Sequence, residues 1–156
     1  MLTSQIKIET YNPLHDKDFA HLNYEWLNNH FEVEEHDVEM LDHPHEYIIK
    51  PGGQIFFAYF KGKVVGTAAL IVENETTYEL AKMAVAPEYR GLKIGNLLME
   101  ACLDYCKENG VQKIVLESST KLPPALNLYI KYGFRVIPLN PNTLYSRANI
   151  RMQLNL

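Results

Sequence analysis

The sequence predicts an α+β domain built on one mixed sheet. Three observations carry this reading. Short apolar segments with strand-like alternation recur along the chain, and two of them are separated only by Lys61-Gly62-Lys63. Segments with apolar residues at helical spacing fall between others. The resulting order is strand, two helices, three strands, helix, strand, helix, two strands, which combines a hairpin with strands separated by helices. The 156 residues match one domain, 1–156, long enough to bury a core.

Each element has a local cause. Gln5 to Glu9 alternates, with Ile6 and Ile8 on one face, and reads as a strand. Asp16 is placed to cap a helix in which Phe19, Leu22, Trp26 and Leu27 recur. A second short helix runs through Asp37 to Leu41 and stops before Pro44. Gly52-Gly53 is a loop. Ile55 to Phe60 and Val64 to Val72 form the hairpin, and Glu73 to Glu75 turns the chain into the strand Thr77 to Val85. Ile94, Leu97, Leu98, Ala101, Cys102 and Tyr105 make a helical stripe that ends at Gly110. Val111 to Glu117 is a strand. Pro123 and Pro124 sit near a helix start, where a missing N–H costs little, and Gly133 terminates that helix. Phe134 to Ile137 begins a strand. Ile150, Met152, Leu154 and Leu156 alternate with Arg151, Gln153 and Asn155 as a half-buried last strand. There are no repeats and no low-complexity segment.

Composition narrows the function classes. The chain is 47% hydrophobic and 22% charged, as globular proteins are, and it has no apolar run of membrane-spanning length. The start, MLTSQIKIETYNP, lacks a charged region followed by an apolar stretch, so no secretory signal is expected. Cys102 and Cys106 fall on adjacent helical turns, which suits buried, inert thiols in a reducing, cytoplasmic compartment. A net charge of −4 argues against a nucleic-acid binder. No pair among the six histidines has the spacing of a helical zinc site; His36, His43 and His45 read as surface residues, and no metal is expected.

The most informative run is 79–98, ELAKMAVAPEYRGLKIGNLL. A strand stops at Pro87, a loop with Arg90, Gly91, Lys93 and Gly95 follows, and a helix opens. Free N–H groups and the helix dipole make such a junction an anion site, and Arg90 and Lys93 add full charges. The Walker-type loop fails because Gly91 and Gly95 are four apart and Asn96 follows. The dinucleotide fingerprint fails because position 93 is not glycine.

Arg90-Gly91-Leu92-Lys93-Ile94-Gly95 resembles the pyrophosphate loop of the GNAT superfamily, the acetyl-CoA-dependent N-acetyltransferases. That loop reads Gln or Arg, two residues, Gly, one residue, then Gly or Ala; Lys93 stands where glycine is usual. Met83-Ala84-Val85-Ala86-Pro87 before it and Asn96-Leu97-Leu98 after it resemble the family's strand and helix. Residues 125–134, ALNLYIKYGF, resemble the family's C-terminal motif, a short helix with a tyrosine closed by Gly-Phe. The resemblance covers roughly 54–137 and implies the GNAT fold, a mixed, mostly antiparallel sheet flanked by helices.

The resemblance also implies a chemistry, in which an amine attacks the acetyl thioester directly within a ternary complex. It places Tyr129 at the departing thiolate as general acid and Glu79 at the strand start as base for the amine, directly or through water. It implies a bulge in the central strand that frees an N–H near Met83 or Val85 for the thioester oxygen and pantetheine. It puts Arg90, Gly91, Leu92, Lys93, Ile94, Gly95 and Asn96 on the pyrophosphate and Asn127 on the pantetheine. Tyr24, Trp26 and Tyr78 are candidates for an amine pocket, with packing as the alternative for Trp26. Residues 18–49 hold nine acids and no Lys or Arg, whereas the remainder carries a net +5. The basic remainder suits CoA phosphates. The acidic stretch either draws a cationic amine or is a solvated face. A catalytically silent acyl-CoA-binding module is the rival reading. The acceptor, a small molecule or a peptide, and a homodimer both stay open.

Overall fold

The computed structural model describes residues 5–143 and 145–156. Seven strands form one sheet: β1 (Ile6–Thr10), β2 (Gln54–Phe60), β3 (Lys63–Asn74), β4 (Thr77–Val85), β5 (Lys113–Ser118), β6 (Arg135–Ile137) and β7 (Ile150–Asn155). Their spatial order is β1-β2-β3-β4-β5-β7-β6, and every pairing is antiparallel except β4 with β5. The four α-helices are α1 (Asp16–His30), α2 (Glu35–Asp42), α3 (Ile94–Glu108) and α4 (Pro123–Lys131). A connection through α3 is what a parallel β4–β5 pair requires.

Strand β2 shows why helices cover both faces. Its run is apolar without alternation. Ile55 and Phe57 point into a cluster with Phe19, Leu22 and Leu27 of α1 and Met40 and Leu41 of α2. Phe56 and Ala58 point into the opposite cluster with Ile94, Leu98, Met99 and Cys102 of α3. A two-sided strand must bury both sides, and each large apolar side chain so buried is worth about 1.5–3 kcal/mol. Helix α3 lies close to β3 because of Gly66. A Cβ there would sit 3.0 Å from Ile94 Cγ2 and 3.3 Å from Leu98 Cδ1. Gly110 and Gly133 end their helices at φ 71° and 97°, a region disfavoured for residues with a Cβ.

Two local expectations are corrected. Asp16 is the first residue of α1 and not its cap; His15 holds the cap position without a side-chain hydrogen bond, and Asp16 instead accepts from the Tyr11 hydroxyl at 2.7 Å. Helix α2 starts earlier than Asp37, at Glu35, because Glu34 and Asp37 form a reciprocal capping box.

Candidate active site

The site begins with a split in the sheet. β4 pairs with β5 only through Thr77–Lys113, Tyr78–Ile114 and Glu79–Val115. Beyond Glu79, β4 stays on β3 while β5 stays on β7, and the two parallel strands part. A bulge re-aims β4 at the same place. Ala81 pairs with Ala69 and Ala84 with Thr67, so β4 carries one residue more than β3 across this step. Lys82 takes φ 55° there. The extra residue reverses the alternation: Leu80 belongs to the cluster under α3, but Ala84, four residues on, belongs to the one under α1 and α2.

The split opens a cleft of about 180 Å³ that is reached from both faces of the sheet. Trp26 and Leu27 of α1 line it from one side, and Leu128 and Tyr129 of α4 from the other. Glu79, Met83 and Glu117 form its walls. Tyr129 packs its ring 6.0 Å from Phe134, and its hydroxyl has no hydrogen-bond partner among the described residues. Burial pushes this phenol up to about 12, so it holds its proton at neutral pH.

Glu79 behaves differently. Burial, then the negative charges of Glu117 and Glu73, push its carboxyl up to about 7, against the weaker pull of Lys82 and Arg151. The residue also lines a second, polar cavity of about 270 Å³ together with His36, Glu73, Glu117, Thr143, Tyr145 and Arg151. Glu79 and Glu117 therefore stand in the wall shared by two cavities.

A buried ion cluster holds the segment before β7 over the cleft. Asp37 is fully buried and accepts from Lys82 Nζ at 2.7 Å and from Arg147 at 2.8 and 2.9 Å. Arg147 also reaches Glu34 at 3.1 Å, and the Tyr145 hydroxyl oxygen accepts from Lys82 Nζ at 2.9 Å. Burial alone would raise the Asp37 carboxyl, but the hydrogen bonds from Arg147 and Lys82 outweigh it and hold the group at about 2. The left-handed backbone at Lys82, unfavourable by roughly 1–2 kcal/mol for a residue with a Cβ, is thus tied down by its own side chain.

The glycine-containing loop forms a third hollow, lined by Val85, Tyr89, Arg90, Gly91, Lys93, Ile94, Gly95 and Asn96. Gly91 and Lys93 take φ 82° and 61°, which turns the chain tightly into the first turn of α3. A Cβ at Gly95 would meet Leu128 Cδ2 at 3.6 Å, so this hollow adjoins the cleft that Leu128 lines. The backbone donors, two cations and adjoining cleft fit a phosphate ligand with a tail running towards Met83.

The expected residues do not all converge. Met83, Glu79 and Tyr129 share the cleft, and Val85 and the loop share the hollow. Leu92 packs against the core beside α3 and lines neither. Asn127 is exposed on α4 and lines no described cavity. Tyr24 donates to Asp42 at 2.8 Å and Tyr78 to the Gly52 carbonyl at 3.0 Å, whereas Trp26 does reach the cleft. Sequence reading missed Glu117, Lys82, Tyr145 and Arg147. Glu117 carried one signal, an acid at the end of an apolar strand. The ion cluster carried none, since Asp37 and Arg147 are 110 positions apart. Among the described residues, no His, Cys, Asp and Glu group could hold a metal ion, and no helix is long and apolar enough to cross a membrane.

A split parallel pair, a bulge and a phosphate-ready loop are features of one fold class, the acyl-CoA N-acyltransferase type. The family model of the acetyltransferase (GNAT) family matches residues 20–134, and the chain belongs to that family. An acetyltransferase of the GNAT family from Staphylococcus aureus Mu50 superposes with a TM-score of 0.86 at 26% identity, over 96% of this chain and 98% of that one. The PaiA N-acetyltransferase of Thermoplasma acidophilum, solved with coenzyme A, shares the fold at a TM-score of 0.76 and 17% identity, over 97% and 99% of the two chains. Among curated sequences, "Probable N-acetyltransferase camello" of Xenopus tropicalis is 31% identical over 99 residues, 62% of this chain and 45% of the relative. The chain spans about half the length of the curated relatives it matches.

Proposed function

We propose that the chain is an N-acetyltransferase that moves the acetyl group of acetyl-CoA onto a primary amine by direct attack in a ternary complex. One observation carries this reading: Glu79, with its carboxyl near 7, and Tyr129, with its phenol held neutral, line the same cleft. Acetyl-CoA supplies the thioester. Arg90, Lys93 and the backbone of Gly91, Ile94, Gly95 and Asn96 take its pyrophosphate. Backbone N–H groups near Met83 and Val85, on a strand edge that has lost its partner, receive the thioester oxygen. Glu79 accepts the ammonium proton, and Tyr129 gives its proton to the leaving thiolate. The buried, unpaired Cys102 and Cys106 thiols suit a reducing, cytoplasmic setting.

The rival reading, a silent acyl-CoA-binding module, needs neither a carboxyl poised near neutrality nor a phenol in the cleft. The test is acetylation of an amine panel with CoA release and product mass as readouts. Acetyl-CoA binding without release of CoA to any amine leaves the binding module standing and removes the enzyme.

A further inference from the structure

Behind Glu79 lies a polar cavity that neither the phosphate loop nor Tyr129 reaches. Its floor follows from strand register. Glu79 pairs with Val115 and Glu117 with Arg151, so these side chains rise from the same face of β4, β5 and β7. Across the register from Glu117, Arg151 would be its natural partner, but Arg151 instead donates to Glu73 of β3 at 3.1 Å. Glu117 accepts from Thr143 through Oε1 at 2.8 Å. Its other oxygen, Oε2, is shut off from bulk water and is the buried side-chain oxygen left without a hydrogen-bond partner among the described residues. Buried carboxylate oxygens are rarely left so, and an orphan in a cavity wall points to a donor the protein does not supply.

Resting on the acetyl-transfer reading, we propose that Glu117 is the counter-ion of the acceptor ammonium and that this cavity admits a single primary ammonium carried on a polar, uncharged stem. Charge count selects that class. Glu73 and Arg151 neutralise each other, and Lys82 is occupied by Asp37. Glu79 and Glu117 remain, and because Glu79 is the base that takes the ammonium proton, Glu117 is the standing counter-charge of the site. One negative charge is left for one ammonium. Of the rest of the lining, Asn140, Asn142, Thr143 and Tyr145 are neutral and hydrogen-bonding, Val72 and Val115 are apolar, and burial, with the charge of Lys82, holds the His36 imidazole below its ordinary value. Among the described residues of this lining, no further unpaired acid waits for a second ammonium, and Arg151 is taken up by Glu73, leaving no free cation for a carboxylate. Glu117 acts as a positioning residue: it holds the nitrogen beside Glu79, which takes the proton, on the side of the split opposite Tyr129.

The test compares wild type with Glu117→Gln, which keeps the acceptor for Thr143 and removes the charge, and with Asp104→Asn, which removes an exposed charge on α3, on the other face of the sheet. The probes are primary amines of matched length: an amino alcohol, an amino amide, a diamine and an amino acid. The amino alcohol and amino amide are the preferred acceptors. Glu117→Gln raises their KM at least tenfold, leaves the KM for acetyl-CoA unchanged, and lowers the pH at which the Glu79 limb of the kcat/KM profile turns. The charged groups around Glu79 are Glu117, Glu73, Lys82 and Arg151, with His36 of α2 on the same cavity, so only the first is altered. Asp104→Asn moves neither quantity by more than about twofold. An unchanged amine KM and pH limb in Glu117→Gln, or a clear preference for the diamine or amino acid, overturns the proposal while acetyl transfer stands. Calorimetric amine binding in the presence of CoA separates the other case. Binding that Glu117→Gln abolishes, with no turnover by wild type, sinks the acetyl-transfer reading and keeps the ammonium site.

Discussion

Tyr129 and Glu79 face the same cleft but answer to different physics. Tyr129 is held neutral by burial and, among the described residues, makes no side-chain hydrogen bond that a phenylalanine would lose. Tyr129→Phe should therefore fold and bind acetyl-CoA as wild type does, while kcat falls by about 10²–10⁴-fold, because a proton donor to the leaving group acts only in the transition state. Single-turnover kinetics is the check. Glu79 works against stability. Its folded carboxyl stands at about 7 against an ordinary 4.5, so the folded state binds a proton that the unfolded chain releases, and stability falls as pH rises from 4.5 to 7. Glu79→Gln mimics the protonated form. It should raise the unfolding free energy at pH 8 by about 1–3 kcal/mol, change little at pH 4, and depress kcat. Denaturant melts at the two pH values give the sign directly.

At the scale of elements, the loop into α3 and the strap before β7 carry the site. Size and charge at the loop can be separated because a Cβ at Gly95 meets only Leu128, at ordinary contact distance. Gly95→Ala should bind acetyl-CoA within a few-fold of wild type, whereas Gly95→Asp, which sets a carboxylate at the helix N-terminus, should lose most affinity by calorimetry. Equal affinity in both variants would move the phosphate elsewhere. The strap depends on Asp37, whose carboxyl lies at about 2 in the fold. Its stabilisation is full above the unfolded value near 4 and is lost as pH falls through 2. Asp37→Ala should cost about 3–5 kcal/mol, since it leaves Lys82 and Arg147 buried without their anion. A melt of that variant measures the loss.

At the scale of the whole molecule, the acidic stretch 18–49 divides in two. Asp37 and Glu34 face Lys82 and Arg147 and hold the fold together, so reversing them reports on folding and not on substrate. Glu32, Glu35 and Glu46 are exposed, and any steering of a cationic acceptor rests on acids of this kind. Changing these three to lysine should raise the amine KM at low salt, leave the acetyl-CoA KM alone, and lose the effect as ionic strength rises past about 0.15 M, where the Debye length is about 8 Å. An unmoved amine KM at low salt makes the stretch a solvated face.

The sequence by itself determined the order of elements and the glycine-containing loop that opens α3, because these signals are local, whereas Glu79 and Tyr129 are candidates by resemblance to the family. Alternation, helical stripes and the glycines at 91, 95, 110 and 133 act through neighbouring residues, and their consequences are readable within a few positions. Only the tertiary structure decided that β4 carries its extra residue at Lys82, that Asn127 faces solvent, and that Glu117 stands beside Glu79 with an oxygen unmet. The bulge exists because β4 must leave β5 while staying on β3, a constraint set by two other strands. The Asp37 cluster exists because α2, β4 and the segment before β7 meet in space, and charges 45 and 110 positions apart carry no mark of each other until the chain has folded.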